Sequence, residues 1–320
     1  MLVRILGVVF GLVVLAVAAD QLVVGSARVA QKLRITPAVV GVVIIGLGTS
    51  APEFLVSGTA AAAGHADIAT GNLIGSNIIN LTLILGLVAA LGGVTTTARV
   101  INREITASVF AVALFALAVA IGLTVWTGAV LWVVAGAALF ILVRWSKSDR
   151  SNITVAEQAI EFTGSETGTP PGAWSTAVMR AVGGLVGVLI GAQLLVTDAA
   201  AIATEFGVSQ LVIGFTLVAL GTSLPELVTA VQAQRRGESD LLVGNLFGSN
   251  LFNSLAGGGV VGMCSTNTTS PAVGALPLII MVAVSILAWV VLRRDLRLSR
   301  PEGALLLLGY LASAPILLSM

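Results

Sequence analysis

The chain has 320 residues, 57% of them hydrophobic and only 10% charged, with a mean hydropathy of +1.05. That composition lies outside the range of soluble globular domains and reads as an all-α integral membrane protein. A net charge of +1, with sixteen Lys and Arg spread along the chain, gives no basis for a nucleic-acid partner, and the single Cys264 excludes an intrachain disulfide.

A membrane-crossing helix needs roughly 20 mostly apolar residues. Ten such stretches are predicted, at about 5 to 25, 37 to 62, 68 to 93, 104 to 124, 126 to 146, 176 to 198, 209 to 233, 241 to 264, 272 to 293 and 303 to 319. The first carries Arg4, an apolar run and Ala16-Val17-Ala18, which also suits a cleavable leader. Residues 7 to 34 have an ungapped counterpart at 180 to 207, in mid-chain, so the segment is kept as the first helix. The long polar stretch from Lys147 to Trp174 contains Glu157, Glu161, Glu166, Pro170 and Pro171. It divides the chain into a first five-helix unit (1–146), a linker (147–174) and a second five-helix unit (175–320).

Loop charge predicts orientation, because Lys and Arg concentrate on the cytoplasmic side. Arg28, Lys32, Arg34, Arg99, Arg103, Arg144, Lys147, Arg150, Arg180, Arg235, Arg236, Arg293, Arg294, Arg297 and Arg300 all fall in one set of alternate loops. Only Arg4 falls in the other. The split puts both termini outside a cytoplasmic, multi-pass membrane and the linker in the cytoplasm.

Shifting the chain by 173 positions places GLGTSAPEF, from Gly46, on ALGTSLPEL, from Ala219. The same shift places GNLIGSNIIN, from Gly71, on GNLFGSNLFN, from Gly244. Between 41–86 and 214–259 there are 18 identities in 46 positions, most of them Gly, Thr, Ser, Pro, Glu, Asp and Asn rather than the Leu, Val and Ala that chance matching would favour. Five spans per unit, an odd number, make the repeat inverted. In secondary transporters such repeats form the substrate site near the bilayer midplane from interrupted helices.

Glu53 and Glu226 sit about sixteen and seventeen residues into their spans, near mid-membrane. A charge there costs on the order of 2.5 to 3.5 kcal/mol, and Glu is too short to reach the interface. No Lys or Arg lies inside a span to compensate them, so the pair reads as functional rather than as a buried ion pair. Pro52 and Pro225 remove the donors to the carbonyls of Gly48 and Gly221, and Gly, Thr and Ser nearby permit unwinding. Ser76 and Asn80, like Ser249 and Asn253, are spaced i, i+4 and share a helix face. Gly71, Gly75, Gly244 and Gly248 suit close helix packing. Asn72, Asn77, Asn245 and Asn250 are read as partners for the interrupted backbone and are assigned no ligand role.

These groups form an all-oxygen environment of the kind Ca2+ takes with six to eight ligands, whereas transition metals would want His or Cys and Mg2+ releases its water reluctantly. Two carboxylates would be neutralised by Ca2+ or balanced by several Na+. Competition for one pair of charges couples opposing fluxes. No cofactor is expected beyond the transported Na+ and Ca2+. A serine protease would need a base beside a buried Ser, and the one histidine, His65, falls in a short loop.

The paired GTSxPE and GNxxGSN strings resemble the α-repeats of the Ca2+/cation antiporter superfamily, in particular its Na+/Ca2+ exchanger branch, over essentially the whole chain. The resemblance implies ten helices in two inverted repeats, outside termini, Ca2+ and Na+ as substrates within a lipid bilayer, alternating access, and a chain that works as a monomer. It implies Glu53 and Glu226 as central ligands for both ions. Thr49, Ser50, Ser76, Thr222, Ser223 and Ser249 resemble the flanking hydroxyl and carbonyl ligands. Gly46 and Ala219 match positions offering backbone carbonyls, and Asn80 matches a central amide. Asn253 stands where the K+-dependent branch carries Asp, which implies K+ independence. An H+-coupled antiporter of Ca2+ or another divalent cation is the alternative, with a cation channel behind it. The linker of about 30 residues is too short for the Ca2+-sensing domains of animal relatives.

Overall fold

The computed structural model describes residues 2–33, 35–64, 66–148, 174–206, 219–264 and 274–318. His65, most of the linker (149–173) and the first part of the seventh expected span (209–218) lie outside the described residues.

The described chain is helical apart from two short strands. The first helix, α1 (Leu2–Leu33), is followed by α2 (Pro37–Val40), a π-helical stretch Gly41–Gly46, and one turn of α-helix, α3 (Leu47–Thr49). Next come α4 (Ala51–Ala62) and α5 (Ala66–Ile79), which passes through π-helical Asn80–Ile84 into α6 (Leu85–Gly92). After β1 (Val94–Thr95), α7 (Ala98–Val100) leads through π-helical Ile101–Ile105 into α8 (Thr106–Ile121), and α9 (Val125–Ser148) closes the first half. The second half comprises α10 (Trp174–Glu205), α11 (Ala219–Thr222), α12 (Leu224–Arg235), α13 (Ser239–Phe252), π-helical Asn253–Gly257, α14 (Gly258–Cys264), α15 (Ala275–Asp295), β2 (Arg297–Leu298) and α16 (Arg300–Leu318).

Six helices among the described residues are long and apolar enough to cross a membrane, or seven if the pair Ala38–Thr49 and Ala51–Ala62, bent by 45°, counts as one span. The 173-residue shift seen in the sequence reappears in element boundaries. α4 maps onto α12, α5 onto α13, and π-helical Asn80–Ile84 onto Asn253–Gly257, each end matching to the residue.

Polarity is distributed in the reverse of a soluble protein. Phe10, Phe110 and Trp126 are exposed, whereas Glu53, Asn77, Asn80, Glu226, Asn245, Asn250 and Asn253 are buried. Large apolar faces open to the surroundings fit a hydrocarbon solvent, in which association rests on close packing and internal hydrogen bonds rather than on hydrophobic burial. The longest helices, α1 and α10, pack against each other. A Cβ on Gly191 would lie 2.8 Å from the backbone nitrogen of Leu15, so only glycine allows this approach.

One contact between halves has no counterpart in the hydropathy pattern. β1 and β2 form an antiparallel ladder, Val94 opposite Leu298 and Thr95 opposite Arg297. Gln234 Nε2 donates to the Gly93 carbonyl (2.6 Å) and Thr96 Oγ1 to Asp240 Oδ1 (3.1 Å), tying the ends of α12 and α13 to the same clasp. These four residues are the only strand among the described residues, and the expected all-α class stands.

Candidate ion-binding site

Both GTSxPE strings interrupt a helix at the serine. Ser50 (φ −78°, ψ 1°) and Ser223 (φ −92°, ψ 3°) leave helical geometry, and proline enters the next helix within its first two positions. Proline suits that place because the first helical N–H groups lack intrahelical acceptors anyway. The break puts Glu53 in the first turn of α4 and Glu226 in the first turn of α12. The free N–H groups and partial positive charge of a helix start favour an anion there by about 0.3–1 kcal/mol. One expectation is corrected: a backbone N–H at the Ser50 cap closes onto the Gly48 carbonyl, which is therefore not released. The carbonyl that gains a new partner is Gly46 O. It receives the Ser50 N–H at 3.2 Å and lies 3.2 Å from Ser249 Oγ.

The two carboxylates are 1% and 0% exposed, and they interact electrostatically with each other. Their neighbours come from the opposite half as well as their own. Ser50 Oγ is 3.4 Å from Glu226 Oε1, and Ser249 Oγ is 3.3 Å from the same oxygen. Thr49 Oγ1 lies 2.9 Å from the Ile45 carbonyl and 3.4 Å from Asn245 Oδ1. Thr222 and Ser223 stand beside Glu53. Yet Glu53 Oε1 and Oε2, Glu226 Oε2 and Ser223 Oγ have no hydrogen-bond partner among the described residues.

Two small-residue contacts bring the halves this close. A Cβ on Gly46 would sit 2.9 Å from the Ser249 nitrogen, and one on Gly248 would sit 2.6 Å from Val42 Cα. The π-helical stretch Gly41–Gly46 therefore lies directly on α13. Gly244 packs the same way, against the Ala38 backbone.

The amides divide in a way the sequence did not suggest. Of the four asparagines assigned to the broken backbone, only Asn250 reaches a backbone group among the described residues, donating to the Asn77 carbonyl (3.0 Å). Asn72 donates to Ser57, Asn77 to Ser254 and Asn245 to Thr229, all at 2.9–3.0 Å. Asn80 Nδ2 donates to Asn250 Oδ1 (3.0 Å), leaving Asn80 Oδ1 buried and unpartnered. Asn253 is fully buried with neither amide atom hydrogen-bonded among the described residues. Ser76 is buried as well, and Ala219 opens the one-turn helix α11.

A further buried acid went unremarked in the sequence. Glu104, 4% exposed on the π-helical stretch Ile101–Ile105, has Oε2 unpartnered among the described residues. Its charged neighbours are Arg103, Asp240 and Arg99, not the central pair. The hydropathy pattern placed it at a span boundary, where an acid is unremarkable.

Around Glu53 and Glu226, acceptor oxygens outnumber the protons available to them. A single hydroxyl proton on Ser249 faces both Gly46 O and Glu226 Oε1. Each buried acceptor without a donor costs on the order of 1–3 kcal/mol, more when it is charged. A bound cation removes that deficit at several oxygens at once. No group of three or more His, Cys, Asp or Glu converges among the described residues, so the charge available is that of two carboxylates among neutral oxygens. Such a donor set fits hard cations and not thiophilic or imidazole-seeking metals.

Known proteins were compared with the chain. The family model for the sodium/calcium exchanger protein matches residues 3–144 and 176–318. The inner membrane protein YrbG of Escherichia coli is 32% identical over 319 residues, with 95% of this chain and 93% of YrbG covered. The sodium/calcium exchanger MaX1 of Methanosarcina acetivorans is 27% identical over 345 residues, with 98% of both covered. A solved structure of the sodium-calcium exchanger NCX_Mj, soaked with Na+ and Ca2+, superposes with a TM-score of 0.84 at 28% identity, covering 98% of both chains.

Proposed function

The chain belongs to the sodium/calcium exchanger protein family, and from that premise we propose that it exchanges Ca2+ for Na+ across the cytoplasmic membrane, with Glu53 and Glu226 as the shared ion ligands. The observation that carries this reading is the buried oxygen set without donors: both oxygens of Glu53, Oε2 of Glu226 and the amide oxygens of Asn80 and Asn253. Thr49, Ser50, Ser76, Thr222, Ser223, Ser249 and the carbonyls of Gly46 and Ala219 complete the proposed ligand set.

Ca2+ neutralises the two carboxylates, and several Na+ balance them. Both ions draw on the same charge, so the arrival of one favours departure of the other. A pair of bare carboxylates carried through low dielectric costs on the order of 2.5–3.5 kcal/mol each, which opposes crossing by the ion-free protein and suppresses leak. Each half-helix start contributes backbone N–H groups behind its glutamate, holding the carboxylate in place while the cation changes.

The same proposal includes two inverted five-helix repeats, 1–146 and 175–320, joined by a cytoplasmic linker, with both termini outside, alternating access between the two sides and the chain acting as a monomer. The matched segments, 3–144 and 176–318, leave unmatched the stretch assigned to the linker. The amide of Asn253 supports K+ independence, since an acid there would add a charge for one more monovalent cation to balance.

Uptake of radioactive Ca2+ into vesicles loaded in turn with Na+, K+ or a proton gradient tests the reading. Na+ loading alone should drive saturable uptake, and Glu53→Gln or Glu226→Gln should abolish it. Uptake driven by protons but not Na+ would transfer the function to H+ coupling, and unsaturable uptake without any counter-cation would indicate a channel.

A further inference from the structure

Asn245, on α13, joins the two broken helices through its side chain. Its Nδ2 donates to Thr229 Oγ1 on α12 (3.0 Å), and its Oδ1 accepts from Thr49 Oγ1 on α3 (3.4 Å), 196 positions away in the other half. Thr229 Oγ1 in turn reaches the carbonyls of Pro225 (2.7 Å) and Glu226 (3.0 Å). All three side chains are buried, at 1% exposure or less. A continuous run of hydrogen bonds therefore links Thr49, at the break in the first half, to the backbone of the residue that carries the Glu226 carboxylate.

The chemistry of the groups sets the direction of these bonds. A threonine hydroxyl has one proton. At Thr229 that proton goes to a carbonyl of its own helix, because a carbonyl can only accept, and the hydroxyl oxygen is left to accept from the Asn245 amide nitrogen. With its nitrogen engaged there, the amide turns its oxygen toward Thr49.

Thr49 also stands beside the Glu226 carboxylate. Its single proton thus faces the Ile45 carbonyl at 2.9 Å, Asn245 Oδ1 and the carboxylate. A hydroxyl that offers an oxygen lone pair to a cation has to send its proton elsewhere. Ile45 O and Asn245 Oδ1 are the acceptors that can receive it among the described residues.

The other half shows what is particular to this arrangement. Asn72, the counterpart of Asn245, also donates to a hydroxyl one turn beyond a glutamate, Ser57 Oγ (3.0 Å). Ser57 passes its proton to the Ala69 carbonyl (3.1 Å), so that chain returns to α5, the helix it came from. Among the described residues, the chain through Asn245 is the one that ends on the backbone of a glutamate.

We propose, resting on the exchange reading above, that Asn245 is a positioning residue for the ion site. It fixes the first turn of α12 through Thr229 and orients the Thr49 hydroxyl, so that Glu226 and Thr49 serve the same cation. Removing a residue that orients metal ligands costs roughly 10–100-fold in affinity. A residue that supports only the fold changes instead how much active protein there is.

Na+-driven Ca2+ uptake by the full chain in vesicles, measured over a Ca2+ series, separates these roles. Thr229→Val keeps the side-chain shape but deprives Asn245 Nδ2 of its acceptor. It should raise the KM for Ca2+ about tenfold and leave the maximal rate per folded protein unchanged. Thr229→Ser restores the hydroxyl and should restore the KM. Asn245→Leu should raise the KM by a similar factor, and combining it with Thr229→Val should add nothing further, because the two residues act as one unit. A lowered maximal rate with unchanged KM in Thr229→Val overturns the proposal, as does Thr229→Ser behaving like Thr229→Val, or effects that multiply in the double variant. Should either Thr229→Val or Asn245→Leu not fold, the other is read alone by the same criterion. Uptake absent from the unmodified chain defeats the exchange reading and this role with it, whereas uptake present with an unaltered KM in the variants defeats the positioning role alone.

Discussion

Ser50 Oγ lies 3.4 Å from Oε1 of Glu226, a residue 176 positions away, rather than serving its own helix: it makes no capping bond to α4. The break in one half thus supports the carboxylate of the other. Ser50→Ala should weaken Ca2+ binding by about 1.5–3 kcal/mol, the range for a hydrogen bond to a charged group. In a double-mutant cycle, the effect should shrink by at least about 0.5 kcal/mol once Glu226 is already Gln. Calorimetric titration of Ca2+ into the four proteins checks this, and full additivity would argue that the contact carries no energy.

Removing the central charge should have opposite effects on stability and transport. Glu53 has two buried oxygens without donors, so Glu53→Gln removes an uncompensated charge and should raise the melting temperature of the ion-free protein, by about 1–3 kcal/mol in stability. The same variant should no longer be stabilised by added Ca2+ and should not exchange. Thermal melts with and without Ca2+ give both readings, and a Ca2+-dependent shift persisting in Glu53→Gln is the result that contradicts the ligand assignment.

Asn253 occupies a buried position with neither amide atom hydrogen-bonded among the described residues. Asn253→Asp would add a third carboxylate to the cluster, and a third negative charge calls for another cation to balance it. Exchange by this variant should become dependent on an additional monovalent cation such as K+. Ca2+ uptake measured across a K+ series in Na+-loaded vesicles decides, and unchanged K+ independence would separate Asn253 from the ion set.

Asn250 holds the halves together through two hydrogen bonds, to the Asn77 carbonyl and from Asn80 Nδ2. Truncation to Ala strands both buried partners, at about 1–3 kcal/mol each before relaxation. Asn250→Ala should therefore lower the melting temperature whether or not Ca2+ is present, unlike the glutamate variants. A loss confined to the Ca2+-bound state would instead point to a role in ion binding.

At the start of α16, Ser299 N–H and Oγ both donate to Glu302 Oε2 (2.8 and 2.6 Å), the first of which is the Glu-to-backbone half of a capping box. The Ser299 hydroxyl first, then its N–H and Arg294, hold the Glu302 carboxyl below the usual range. A depressed folded pKa contributes stability present above the unfolded value and lost as pH falls through the folded one. Protection of the Ser299 amide in hydrogen exchange, corrected for intrinsic rate, should decline on acidification below the ordinary glutamate range. Glu302→Gln should show reduced protection at neutral pH.

Much of this protein was legible as text. Apolar runs of membrane-crossing length located most of the described helices, though α1 and α10 extend to Leu33 and Glu205, well past the expected ends, because in hydrocarbon a spanning segment must satisfy its own backbone and keep polar side chains few. Within those runs, polar strings repeated at a fixed shift marked the broken helices and the two buried glutamates, since nothing else excuses a Glu and a Pro at that depth. Family membership followed from the same strings.

Tertiary structure alone decided which groups meet. The repeat aligns Ser50 with Ser223, but it does not say that Ser50 faces Glu226, because contact across the halves depends on how Gly46 and Gly248 let two backbones approach. Nor does it forecast π-helical register at Gly41–Gly46, Asn80–Ile84 or Asn253–Gly257. A shift of one hydrogen-bond register leaves composition untouched and is selected by packing. Sequence set which residues enter the membrane interior; the fit of one half against the other set the oxygens each carboxylate sees.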